Sequence, residues 1–203
     1  MSDQTNTRFR TISDPTESFH KERGSKFYGF AYPVNSQDEV DSHLNELKEE
    51  YSDATHHCYA FRLGADGSDF RYSDDGEPSN SAGSPIYRQL LSHDLTNTLV
   101  VVVRYYGGKK LGVPGLIDTY GTAAHESLNT AQVVERSLTR RFSIRTPLNK
   151  EYLIYKLAAQ HKLGQPELDA KSPNLFHFEA DVDRWQEITD LLQNLKNFEL
   201  IIS

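Results

Sequence analysis

A single cysteine, Cys58, stands among 203 residues, so no internal disulfide can form, in agreement with a reducing compartment. No apolar run approaches the roughly 18 residues needed to span a bilayer, which points to a soluble chain with no membrane partner. The start, MSDQTNTRFR, lacks an apolar h-region and reads as a frayed polar terminus, not a secretory signal; a cytoplasmic location is the expectation. Internal repeats and low-complexity segments are missing too. So are the Gly-Lys-Ser/Thr of a Walker loop and the G-x-G-x-x-G of a dinucleotide fold.

What is there supports two modest domains, each able to bury a core. The formal net charge is −7, which argues against general nucleic-acid affinity, but the charge is unevenly spread. Residues 35–97 hold 4 Lys/Arg against 13 Asp/Glu, and residues 98–150 hold 8 against 3. A local positive surface is compatible with the acidic total; faces that merely differ in sign are the plainer reading.

KFYGFAYPV alternates as a strand, and Ser36 with Glu39 has capping-box spacing before Val40, Leu44, Leu47 and Tyr51, which predict an amphipathic helix of about 14 residues. THHCYAFRL and FRYS predict a hairpin through an Asp-Gly turn. Ser84 is the expected cap of a short helix with Pro85 at its first position. TLVVVVRYY predicts a central strand buried on both faces, followed by a helix with the stripe Leu116, Tyr120, Ala123, Ala124 and Leu128. The rest reads strand, helix, strand, strand, helix, strand, with Asn149 capping the first helix and Gly164 and Pro166 stopping it. That βαββαβ order is the ferredoxin-like pattern. The expected fold class is α+β, two α/β sandwich domains spanning 1–134 and 135–203.

Four constellations can carry function. In YSDDGEPSNSAGSP, residues 72–85, Asp74, Asp75 and Glu77 can bind a cation, act as a general acid or meet a partner. Alternatively, they only shape an Asx-turn, with Gly76 allowing positive φ, Pro78 fixing the exit and Ser79 beside it. GGKKLGVPG joins the central strand to a helix, where Gly107, Gly108, Lys109 and Lys110 can hold an anion or simply turn the chain. His56 shares a strand face with Cys58 while His57 points the other way, so at most two ligands converge and a zinc site would have to recruit carboxylates or another His; packed or hydrogen-bonded histidines are the plainer reading. Finally, Arg136, Arg140, Arg141 and Arg145 surround the first strand of the second domain, as a basic surface for a nucleic-acid backbone or as an outer sheet face.

DATHHCYAFRLG, SDDGEPSNSAGSPI and LVVVVRYYGGKKLGVPGLIDTYGTAA, in this order, resemble the YigZ/IMPACT family. The likeness continues into the C-terminal half, which resembles the second domain of bacterial members. The matching positions are Asp74, Asp75, Gly76, Glu77, Pro78, Ala82, Gly83, Arg104, Tyr105, Gly107, Gly108, Leu111 and Gly112. Two segments depart from the family pattern: Ser79-Asn80-Ser81 stands for Ser-Gly-Thr, and Pro114 removes one amide from the glycine loop. The resemblance implies a first domain like one in a small-subunit ribosomal protein and in domain IV of elongation factor G, and a second that is ferredoxin-like. Eukaryotic relatives are implied to be adaptors that bind the scaffold activating the amino-acid-starvation kinase.

The leading expectation is therefore a non-enzymatic cytosolic binding protein linked to translation regulation through RNA, the ribosome or a protein partner. It needs no cofactor, no metal and no catalytic residue. Its contacts would be Asp74, Asp75, Glu77 and Ser79 with Arg104 to Lys110, alongside His56 and His57. The competing expectation is a small-molecule enzyme or phosphate-ligand binder using the acidic loop and the glycine loop.

Overall fold

The computed structural model describes residues 7–193, 195 and 198–202. Its first two strands, β1 (Arg8–Ile12) and β2 (Thr16–Glu22), occupy a stretch whose start the sequence reading leaves frayed. Of that expected polar terminus, residues 1–6 lie outside the described residues; Arg8 to Arg10 are ordered into β1, a correction. The reason is pairing by polar groups: Thr11 Oγ1 donates to the Asn97 carbonyl at 3.0 Å and the Thr96 amide to the Arg10 carbonyl at 2.9 Å. β2 is similarly poor in apolar residues because its hydroxyls anchor it, Thr16 on the Ser127 carbonyl and Ser18 on the Ala123 carbonyl.

β3 (Ser25–Pro33) leads to α1 (Gln37–Glu50). Ser36 Oγ accepts the Glu39 amide at 3.3 Å and Glu39 Oε2 accepts the Asn35 amide at 2.8 Å, a capping box displaced by one residue. β4 (His56–Leu63), β5 (Asp69–Ser73), α2 (Gly83–Ser92), β6 (Thr98–Tyr105), α3 (Gly112–Asn129) and β7 (Val133–Ser137) follow. Five strands form an antiparallel sheet in the order β2-β3-β6-β4-β5, and β1 pairs with β7 separately. Alternation along β6 sends Val100 and Val102 to a core with Ile86, Leu90, Leu116 and Tyr120, and Leu99, Val101 and Val103 to a second core with Val40, Leu44 and Leu47. Helices therefore cover both faces, which is why the central run has no polar alternation.

The second unit holds β8 (Thr139–Arg145), α4 (Tyr152–His161), β9 (Glu167–Leu168), β10 (Leu175–Asp181), α5 (Trp185–Gln193) and β11 (Glu199–Ile202). Its sheet order is β11-β8-β10-β9, and one face packs Phe142, Ile144, Phe176 and Phe178 on Ile154, Leu157, Ile188 and Leu192. By its contacts the chain divides after Arg136. Two expected caps are corrected. Asn149 is not the cap of α4; it takes a left-handed φ of 64° two residues earlier, and Glu151 occupies the cap position. Ser84 lies inside α2, whose amino end is satisfied from elsewhere.

Candidate functional site

The turn after β5 reverses the chain through two left-handed residues, Asp75 (φ 41°) and Gly76 (φ 88°). That geometry aims Asp74 back at α2: Oδ1 accepts the amides of Ala82 at 2.9 Å and Gly83 at 2.8 Å, and Oδ2 accepts the Asn80 amide at 2.7 Å. An aspartate distant in sequence thus does the capping work that Ser84 was expected to do, and its charge suits the positive end of the helix. Asp75 turns the other way and accepts the His57 amide at 2.6 Å. Its carbonyl meets His56 Nδ1 at 2.7 Å, while the Cys58 thiol donates to the Asp74 carbonyl at 3.0 Å.

Glu77 goes inward. Its Oε1 is held by the Arg104 guanidinium and by the Tyr120 hydroxyl at 2.8 Å, with His56 Nε2 at 3.8 Å. Both members of the ion pair are buried, the Glu77 side chain 4% exposed and that of Arg104 5%. Arg104 also donates to Ser25 Oγ at 3.3 Å and lies between the Phe27 and Tyr106 rings, 5.3 and 5.5 Å from their centroids. Burial raises the Cys58 thiol and the Tyr120 phenol far above their ordinary pKa values, so both stay protonated. Burial lowers the His57 imidazole, against the pull of Asp75, so the ring is held towards its neutral form.

Residues Tyr106 to Lys110 form an exposed rim over this buried network. Gly107 is required there: its amide donates to Ser25 Oγ at 3.1 Å, and a Cβ at this position would sit inside the backbone of Gly24. Gly108 supplies the left-handed turn with φ 81°. Neither Lys109 nor Lys110 has an acidic partner among the described residues, and Lys110 lines a cavity of about 420 Å³ with Glu77 and Arg104 at one side and the start of α3 at the other. Pro114 falls in the first turn of α3, where its missing N–H breaks no helical bond.

The structure thus unites Glu77, Arg104, His56, Gly107 and Lys110. Tyr105 is directed away: strand alternation places it on the opposite sheet face, with its hydroxyl on Asp53 at 2.6 Å, a bond that pushes the phenol up to about 12. Ser79 is exposed and accepts the Asn80 side chain at 3.3 Å. Of the four arginines of the expected basic surface, one lies on β7 and three on β8. Arg136 lies on β7, Arg140 stacks on Trp185 at 4.4 Å, and Arg145 pairs with Glu199 at 3.0 Å. Arg141 stands opposite Glu179 in the strand register. Among the described residues no group of three or more His, Cys, Asp or Glu side chains is placed to hold a metal, and no helix is long and apolar enough to cross a membrane.

Sequence reasoning passed over Ser25 and the hydroxyl of Tyr120. The second carried a signal: a tyrosine in a stripe of leucine and alanine needs a partner for its hydroxyl when buried.

A family model described as the Impact N-terminal domain matches residues 23–128. The chain is similar to IMPACT family member YvyE of Bacillus subtilis (strain 168), 40% identical over 116 residues that cover 57% of this chain and 54% of that one. It is similar to YigZ of Escherichia coli (strain K12), 36% identical over 106 residues, 51% and 52% of the two chains. The chain thus spans about half the length of these curated relatives. A crystal structure described as a hypothetical protein shares the fold across 97% of this chain and 98% of its own, with TM-score 0.74 at 23% identity.

Proposed function

The chain belongs to the IMPACT family through residues 23–128, and from that premise we propose that it is a binding protein of the translation apparatus, with the Tyr106–Lys110 rim as the contact of its first domain. The observation that carries this reading is the division of labour around Arg104. All three loop carboxylates are engaged by the protein itself, Asp74 by amides of the α2 end, Asp75 by His57 and Glu77 by Arg104, whereas the rim cations face solvent. A general acid or metal ligand must change partners during its work, and Glu77, fixed by a buried cation and a phenol, is poorly placed to do so.

The partner is a protein, the ribosome or RNA of the translation machinery, as the resemblance to adaptor relatives implies. The arginines of the second domain support a protein contact over a continuous phosphate track, since two of them face glutamates. We assign that domain, from residue 135, to the ferredoxin-like class; in its support, numbering its strands from β8 gives the order 4-1-3-2. The first domain is assigned the ribosomal-protein and elongation-factor type, in the cytoplasm.

Co-sedimentation with ribosomes across a salt series, and capture from native lysate with and without RNase, test the proposal. The wild type should associate at low salt and the Lys109→Ala/Lys110→Ala double variant should lose about tenfold in affinity. A protein that remains in the supernatant at low salt and retains no partner in either capture arm would refute it.

A further inference from the structure

Arg104 is the less satisfied member of the buried ion pair. A guanidinium has five N–H donors, and Arg104 is 4% exposed, yet among the described residues its guanidinium makes one hydrogen bond to Glu77 and one to Ser25. Its buried Nε has no hydrogen-bond partner among the described residues. A buried cation so arranged calls for an explanation in ligand or function. Arg104 lines the cavity of about 420 Å³ described above, within the range of pockets for small organic molecules.

The other walls agree with one kind of occupant. Pro78, Leu111, Val113 and Leu116 give an apolar side. Opposite charges cancel between Glu77 and Arg104, which leaves Lys110 as the unbalanced side-chain charge. The amino end of α3 adds to it: this helix of 18 residues has no side-chain cap and no acidic residue in its first turn, and Gly112 and Val113 line the cavity. α2 has its carboxylate cap in Asp74; α3 has none. Val113 and Tyr106 at the mouth are 46% and 47% exposed.

We propose that this cavity binds a small organic anion, its phosphate or carboxylate head between Lys110, Arg104 and the amino end of α3, its apolar body against Pro78, Leu111, Val113 and Leu116. The inference goes beyond the macromolecular contact of the rim, because the cavity needs no partner to be complete. Tyr106, stacked on Arg104, joins the two: an occupied cavity holds the base of the rim.

The test uses the full chain, labelled with ¹⁵N, titrated with phenyl phosphate, benzoate, inorganic phosphate and benzyl alcohol. Phenyl phosphate or benzoate should move the Gly112 and Val113 amide signals saturably at millimolar concentration. Lys110→Ala should weaken that binding about tenfold, and Val113→Trp, at an exposed position that preserves the fold, should block it. The better of the two organic probes identifies the head group. Absence of saturable shifts, equal binding by Lys110→Ala, or benzyl alcohol or inorganic phosphate binding as tightly as the organic anions would overturn the proposal. Ribosome association plays no part in this experiment, so its failure and that of the rim contact are distinguishable.

Discussion

Two loops meet Arg104, and they use charge in opposite ways. The segment from Asp74 to Gly83 turns its carboxylates inward, onto the end of α2, the His57 amide and the Arg104 guanidinium. The segment from Tyr106 to Lys110 turns its cations outward. A cluster of like charges in a sequence therefore says nothing about function until the backbone donors around it are counted. Here the acidic cluster is a fastening, and the basic pair is exposed without an acidic partner among the described residues.

The sharpest way to break that contrast is to remove a fastening. Glu77→Ala leaves the Arg104 cation buried without its counter-ion and should cost about 3–5 kcal/mol in urea unfolding, whereas an ordinary surface carboxylate would cost almost nothing. Gly107→Ala forces a methyl group into the Gly24 backbone and should cost about 1–3 kcal/mol by the same measurement, the rim losing its seat on the β2–β3 turn. Asp74→Ala removes an acceptor of three amides and should cost about 2 kcal/mol, with Asp74→Asn milder.

A smaller effect comes from pH. The His57 imidazole titrates below its ordinary 6.5, first because burial disfavours the charged ring. The unfolded chain takes the proton near 6.5 and the folded chain only at lower pH, so this contribution to stability is complete above 6.5 and lost as pH falls through the window beneath it. Urea midpoints between about pH 7.5 and about pH 5.5 should fall on the acid side, with a gentler fall in His57→Gln. Smallest of all, Lys109→Ala/Lys110→Ala should leave the unfolding midpoint within about 0.5 kcal/mol of wild type while it weakens partner association. A large loss of stability in that variant would show the rim to be a fastening as well.

The local parts of the fold were open to reading. Val100 to Val103 announce a strand between two cores, and Val40, Leu44 and Leu47 a helix resting on one of them. Strands β1, β2 and β7 were not, because hydroxyls and main-chain groups hold the first two where apolar side chains would have left a pattern. In the site, the tight turn at Asp75 and Gly76 follows from residue type. The partners of Glu77 do not: Arg104 and Tyr120 are 27 and 43 residues away, and no periodicity encodes such a meeting. The same limit applied to the arginines, whose pairing with Glu199 and stacking on Trp185 depend on strand register and helix packing.

The cap of α2 bears on how the chain folds. A helix of 10 residues is marginal alone, and this one takes its cap from an aspartate 8 and 9 positions upstream of the amides it satisfies. Asp74 reaches them only after the turn at its own end of β5 has closed. Helix α2 is thereby coupled to the β4–β5 hairpin, and the two should open together, with one shared free energy, in hydrogen exchange.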